Sequence, residues 1–491
     1  MVTASVQDLA ARPNSDATPL PHGYPLHVDA TCDKVRGGLC LCLDGWRGWV
    51  LHAARIRSES AGEMGAAIAT ALALFGDPVA FMRDLGAAVA KAVADCRPPH
   101  IPDLVCQFHF LAGLGRKLHK ADHAALGRSL AHFRVRSGLR ALLRSLPQQA
   151  LGTAADRDRD LPALLLWVLE GDGHKQPAFP FGLPRWDFLR RCCQFEELAR
   201  QLLPLPRSRC ERSILRQAAS VLEPALEPAF GMPALAVRLE RSQSVFQELR
   251  DLLRLPHDAL RGRQAPSPAC PRTAAALLES MPARLQAHRD ALRQRIKALP
   301  DRPGDATPVP EAIVLQYLKR YQDGLCGHPV ARDEAGRIVA VVERTNNPPE
   351  QFFSQAKRRL RRRVGRANLG RDMQDQPAQV ALAANLLDEH YVRIMCGTLD
   401  GLPAAFAEVD RSAASTVKPT LDRMKRNSHL RQRIRQWESE SAIPTTAAPE
   451  STIHAPSRNA SGTPSPTESR RGRTWILCAC YKKSSILRAH S

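Results

Sequence analysis

From position 25 to 106 short apolar runs alternate with turn residues, at lengths that suit strands better than helices. Leu26 to Thr31, Leu39 to Leu43 and Trp49 to Ile56 read as three strands, parted by Gly37-Gly38 and by a hairpin turn at Asp44-Gly45 to Gly48. Short strands joined by Gly-containing turns predict an antiparallel meander. Ser58 is placed to cap a helix, with Glu59 and Glu63 near its positive end, and apolar residues run on to Phe75. Gly76-Asp77-Pro78 stops that helix. Val79 to Met82 reads as a fourth, buried strand ending at Arg83-Asp84, and an Ala-rich helix follows until Pro98 to Pro102 breaks it. Leu104 to Cys106 is a fifth strand leading into Gln107-Phe108-His109.

Beyond Phe110 the period changes from two to 3.6. Helices are predicted over Phe110 to Leu118, Ala124 to Leu146, Trp186 to Leu203, Arg212 to Leu222, Leu235 to Leu255, Ala274 to Leu299 and Pro310 to Tyr321. Pro-rich breaks fall at Ala178 to Pro184 and Ala265 to Pro271. Pro329 to Val342 reads as a hairpin turning at Asp333 to Gly336. A basic helix follows Pro348-Pro349, and a last helix spans Pro377 to Met395. A meander, a crossover helix and two further strands match the order of a ribonuclease H-like fold. The expected class is therefore α/β: a mixed sheet with flanking helices, interrupted by a large all-α insertion domain. The expected divisions are a disordered lead-in over 1–22, the first part of the core over 23–110 and the insertion over 111–327. The second part of the core then spans 328–400, a basic helical extension 401–440, and a disordered Pro/Ser/Thr-biased tail 441–491.

Charge changes the picture. The chain of 491 residues carries 70 Lys+Arg against 49 Asp+Glu, a formal +21 with pI near 9.9, which favours a polyanionic partner. A membrane surface is the competing partner, but apolar runs such as Leu161 to Leu169 are far shorter than the roughly 20 residues a span needs. The first residues have acids and prolines and no apolar signal core, so a cytoplasmic protein is expected. Thirteen cysteines, with an adjacent pair at Cys192-Cys193, do not form a disulfide framework in a chain this long.

The densest chemistry lies in Val342 to Arg363. Thr345-Asn346-Asn347 ends an apolar run, Glu350 falls in the opening turns of a helix, and six of the seven residues Lys357 to Arg363 are basic. Lys357 and Arg361 lie seven and eleven residues beyond Glu350, so at helical spacing they share its face. An ordinary solvated basic helix is the bland reading of this stretch. Two further acids stand at strand ends: Asp29 in the first strand and Asp84 after the fourth. Paired metal ions about 3.5–4 Å apart need several carboxylates converging from distant elements, and magnesium shares such oxygens with substrate phosphates. Singly, Asp29 also suits a turn cap with Thr31, and Asp84 a cap for the helix it precedes.

Several stretches resemble bacterial insertion-sequence transposases of the DDE type. They are Leu26 to Cys32, Ser58-Glu59-Ser60, Phe75 to Pro78, Arg83 to Gly86, Cys106 to Leu111, and Arg344 to Asn347 with Glu350 to Phe353. Cys106 with His109, and Glu350 after the Thr-Asn-Asn turn, are also similar to the Mutator-like group. Asn368 to Asp372 and Asp388 to Tyr391 extend the resemblance to about residue 397. It implies a ribonuclease H-like core with Asp29, Asp84 and Glu350 as catalytic, metal-binding residues for Mg2+ or Mn2+. The implied activity is DNA cleavage and strand transfer at element ends, by a nucleoid-associated homodimer or higher oligomer on double-stranded DNA. Lys357, Arg358, Arg361, Arg362, His109, Asn346 and Asn347 are then the DNA-binding candidates. Such transposases usually carry a DNA-binding region ahead of the first catalytic strand, so a copy shortened at its N-terminus is expected. A non-catalytic DNA-binding remnant and a ribonuclease H-like nuclease are the alternatives.

Cys106 and His109 have a spacing that zinc can use, with Cys96 and His100 as further ligands, or else they serve packing. Glu343 is the rival third acid. Asp44 suits its turn. Arg128, Arg134, Arg136, Arg140 and Arg144 form a basic face, either a DNA track or a solvated surface. Trp186 suits stacking on a base or a core anchor.

Overall fold

The structure is a computed structural model. It describes residues 20, 23–32, 38–146, 160–173, 177–204, 209–254, 271–299, 309–365, 369, most of 378–411, and 432 and 436. The lead-in apart from Leu20, the Asn368 to Asp372 stretch apart from Leu369, the Ala265 to Cys270 break, nearly all of the basic extension and the whole tail lie outside these residues. Leu20, assigned to the lead-in, is buried in the same core as the first strands.

Five strands form one mixed sheet. They are β1 (Pro25–Cys32), β2 (Gly38–Asp44), β3 (Val50–Ile56), β4 (Ala80–Arg83) and β5 (Asp103–Val105), in the order β3-β2-β1-β4-β5. β1, β2 and β3 form the expected antiparallel meander; β4 runs parallel to β1, and β5 parallel to β4. Cys40 to Asp44 are all buried, the pattern of a strand covered on both faces. Helix α1 (Ala61–Phe75) packs on β2 and β3 and against α2 (Ala87–Cys96). Its cap is Ser60, not Ser58: the Ser60 hydroxyl accepts from the Glu63 N–H. The Glu63 carboxylate reaches back to the N–H groups of Arg57 and Ser58, so it is the acid three residues into the box that fixes the start.

The chain then enters α3 (Gln107–His132), which runs unbroken past the expected boundary at 110. The sequence predicts a break near 119–123. The observed break is at Phe133-Arg134, where Arg134 takes a left-handed conformation (φ 53°) before α4 (Val135–Ser145). His119 and His123, polar signals that interrupt the pattern, are in fact buried inside α3, where His119 meets Ser242 at 3.1 Å. The run Leu161 to Leu169 forms α5 (Asp160–Glu170), a helix not anticipated. Then come α6 (Pro184–Leu202), α7 (Arg209–Leu226), α8 (Met232–Leu253), α9 (Pro271–Lys297) and α10 (Pro310–Leu325).

The near part of this helical block shares a core with the sheet: Val105, Phe110, Phe246, Leu318 and Leu325 belong to one cluster. Its far part has its own core around Leu139, Leu165, Phe195 and Leu215. Entrance and exit are tied together. The Gln107 side chain donates to Leu325 O at 3.0 Å, and the Gln107 N–H donates to Arg344 O at 2.9 Å. Arg344 in turn donates to the Leu253 and Arg254 carbonyls at the end of α8, where a cation suits the helix dipole. Gly324 permits the close approach of α10 to β5; a Cβ there would stand 2.8 Å from Val105 Cγ2.

The return hairpin is β6 (Val330–Arg332) with β7 (Ile338–Val341), a separate two-stranded sheet. It leads into α11 (Asn347–Val364). The expected single helix over Pro377 to Met395 is instead a 3-10 helix (Ala378–Leu387) and α12 (Glu389–Cys396). The break has a physical cause. Asp388 caps α12 and accepts the Trp49 indole N–H at 2.8 Å. Asn385 donates to and accepts from the Val50 backbone, both at 2.8 Å, pairing with the sheet's edge strand as another strand would. No helix among the described residues is long and apolar enough to cross a membrane.

Candidate active site

Strand register brings the first two acids together. β1 and β4 are parallel neighbours with His27 opposite Met82, so two residues further on Asp29 stands opposite Asp84 at the strands' common C-terminal edge. Glu350 arrives from the first turn of α11, which packs on β1. Pro348 and Pro349 occupy the opening positions of that helix, where a missing N–H costs nothing.

Asp29, Thr31, Glu350, Phe353, Ser354, Lys357 and Arg361 line one cavity of about 350 Å³. Glu350, Lys357 and Arg361 thus share a face, and Lys357 Nζ donates to Thr31 Oγ1 at 2.6 Å. Arg358 and Arg362 are exposed on α11 outside this cavity. Asp84 is not among its lining residues either. Its Oδ1 accepts the Gly86 N–H at 2.8 Å, so the helix-capping role is realised alongside any other.

The electrostatics mark a site where acids are buried close to one another. Burial, then Asp84 and Glu350, push the Asp29 carboxyl up to about 8, although the Ala30 N–H opposes this. Burial, then Asp84, push Glu350 up to about 7. The Glu350 side chain is 38% exposed overall, yet its Oε1 is enclosed and has no hydrogen-bond partner. His109 Nε2 lies 3.5 Å from that oxygen without hydrogen-bond geometry. Burial lowers the His109 pKa, outweighing the pull of Asp84, so at neutral pH this contact joins two groups inclined to be uncharged.

Glu343, the rival acid, lies outside the cavity; burial alone raises it to about 7. Among the described residues no three His, Cys, Asp or Glu side chains stand as a ready ligand group for a metal. The three acids act on one another through charge without converging to ligand distance.

Two expected DNA contacts have a different place. Asn346 is 0% exposed and Asn347 8%, so neither side chain faces a partner. Asn346 Nδ2 donates to Val28 O at 3.1 Å, its Oδ1 meets His27 Nδ1 at 3.1 Å, and its N–H donates to Cys106 Sγ at 3.2 Å. It therefore joins β1, the start of α11 and the start of α3, the three segments that carry Asp29, Glu350 and His109. Cys106 is fully buried, and burial pushes its thiol up to about 12. Cys96 is spent on the Gly65 carbonyl. His27 and the Arg83–Asp103 pair (2.8 Å), which clamps β4 to β5 just before Asp84, had no sequence signal beyond residue type. Asp44 holds its turn, accepting from Trp46 N–H and from Arg47. Trp186 packs against the far helical core with Arg190 over its ring at 4.9 Å.

No protein-family model matches this chain, and no curated protein matches it.

Proposed function

We propose that this protein is a DDE-type transposase, cleaving DNA and joining strands with the help of Mg2+ or Mn2+ bound at Asp29, Asp84 and Glu350. The observation that carries the reading is the pairing of Asp29 with Asp84 across β1 and β4, with Glu350, Lys357 and Arg361 of one helix lining a cavity with Asp29. The sheet order β3-β2-β1-β4-β5 supports a ribonuclease H-like core, and the helices between β5 and β6 are read as its insertion.

The donor atoms are hard oxygens of the kind a divalent cation takes, two of them pushed toward protonation by burial and neighbouring acids and one of them unpartnered, though among the described residues they do not stand as a ready ligand group. Such ions, when bound, lower the pKa of an attacking water or 3′-hydroxyl and stabilise the leaving oxygen. The chain's own contribution is positioning. Asp29, Asp84 and Glu350 hold the charge, Lys357 and Arg361 hold a phosphodiester against them, and the exposed Arg358 and Arg362 extend the track along the backbone. His109, neutral beside Glu350, is placed to accept or return a proton. DNA is the partner, bound by an oligomer, in the bacterial cytoplasm at the nucleoid.

A non-catalytic DNA-binding remnant is the second reading, favoured by the engagement of Asp84 with Gly86. Magnesium-dependent nicking of duplex oligonucleotides separates the two. The wild type should nick, and Asp84→Asn should lose nicking while keeping salt-sensitive DNA binding. Equal nicking by Asp84→Asn would remove Asp84 from the chemistry, and no nicking by either protein would favour the remnant. Joining of a free 3′-hydroxyl end distinguishes a transposase from a nuclease.

A further inference from the structure

A second cavity, about 560 Å³, opens in the helical block between α3, α4, the end of α5 and the start of α6. It shares no lining residue with the acid site, although α3 carries His109 at its other end. Its size falls in the range of small-ligand sites, roughly 300–1,000 Å³. Four arginines line it: Arg136 and Arg140 from α4, Arg185 and Arg191 from α6. None of the four forms an ion pair with a described carboxylate, whereas Arg200, further along α6, pairs with Glu196.

Three of them are held in place by the fold. Arg136 donates to Leu169 O at 2.8 Å and lies over the Phe188 ring at 5.1 Å; Arg191 donates to Val168 O at 3.0 Å. Arg185 donates to His123 O at 3.0 Å, and its guanidinium lies against Gly127, where an added Cβ would stand 2.5 Å away. The start of α6 adds little: Pro184 has no N–H, and the Arg185 N–H donates to His123 Nε2 at 3.3 Å. Three acids also stand in the wall: Glu170, Asp172 and Asp187. Asp172 is taken by the Trp167 indole at 2.6 Å, and burial pushes the Asp187 carboxyl up despite Arg190 and Arg191. Crowding by Arg140 and Arg191, after burial, lowers the Arg136 pKa. Four guanidiniums against Glu170 and Asp187, with Asp172 already engaged, leave an excess of positive charge that phosphate oxygens can satisfy.

We propose that this cavity is a binding site for a phosphate monoester or diester, recognised by Arg136, Arg140, Arg185 and Arg191. The source is either a free mononucleotide or a single strand's backbone, and the inference does not depend on the acid site. Calorimetric titration of the full chain with inorganic phosphate, dAMP and a short oligothymidylate tests it. Saturable binding of at least one probe is expected, weakened tenfold or more by Arg140→Gln and by Arg185→Gln and unchanged by Arg216→Gln on α7. Binding of dAMP identifies the free nucleotide as the source; binding of the oligonucleotide alone identifies the strand. Arg140 makes no side-chain hydrogen bond or ion pair to a described residue, which makes its variant the cleaner one. Phenylglyoxal labelling of the wild type, read by peptide mass spectrometry, serves without any substitution: the bound probe should protect the four cavity arginines and leave Arg216 reactive. Absence of saturable binding by every probe, equal binding by both cavity variants, or labelling that the probes do not alter would overturn the proposal.

Discussion

Asp29→Asn should make the protein more stable and inactive at once, and the size of the gain follows from the site. Burial and the neighbouring acids raise the Asp29 carboxyl from 3.8 to about 8. At about 1.4 kcal/mol per tenfold change in proton affinity, that gap amounts to about 6 kcal/mol. Asp29 is only half-buried, so solvent screening should reduce the penalty to about 2 kcal/mol. The sign is fixed by linkage. A carboxyl with a raised folded value binds its proton more tightly in the fold, so the penalty is absent below about pH 4 and grows until about pH 8. Asparagine has the same shape and still accepts the Ala30 N–H, but carries no charge. Thermal melting followed by circular dichroism, in chelator at pH 5 and pH 8, reads the difference. The variant should melt about 4 °C above the wild type at pH 8, with a smaller margin at pH 5. Burial depresses His27 and His119 to about 4, making both proteins less stable in acid, and the comparison cancels that effect. Millimolar magnesium should raise the melting temperature of the wild type and leave that of the variant nearly unmoved. A variant that melts below the wild type at pH 8, or a margin independent of pH, would refute the claim that Asp29 is held at an unfavourable charge.

Three other substitutions probe the supports of the same site. Asn346→Ala leaves Val28 O and His27 Nδ1 without their partner in a fully buried position and should cost about 3 kcal/mol in urea denaturation; an unchanged midpoint would contradict the network. Gly324→Ala drives a methyl against Val105 and the Asp103 carbonyl and should cost about 1–3 kcal/mol, read by the same denaturation. Lys357→Met should weaken DNA binding across all sequences and lower the slope of log affinity against log salt by about 1, with stability nearly unaffected. An unaltered slope would mean that Lys357 touches no phosphate.

The local pattern determined most of the core. Five strands and the helix of Glu350 were legible within a residue or two, because short apolar runs and the turn residues Gly37-Gly38 and Asp44-Gly45 are short-range signals. The basic run and the spacing of Glu350, Lys357 and Arg361 were equally visible, since a helix repeats at a fixed angle. What the sequence could not carry is whatever depends on partners far along the chain. The exposed-looking Asn346 is buried because Val28 and Cys106 close over it from more than two hundred residues away. The last helix breaks at Asp388 because Trp49 and Val50 present groups to be paired. Cys106 and His109 are a metal-like pair by spacing, yet the fold turns the thiol to the Asn346 N–H and the imidazole toward Glu350. The arginines of α4, read along their own helix, look like a surface stripe; only the arrival of Arg185 and Arg191 from α6 makes a cavity of them. Periodicity tells which face of an element turns inward, and tertiary structure alone decides what that face meets there.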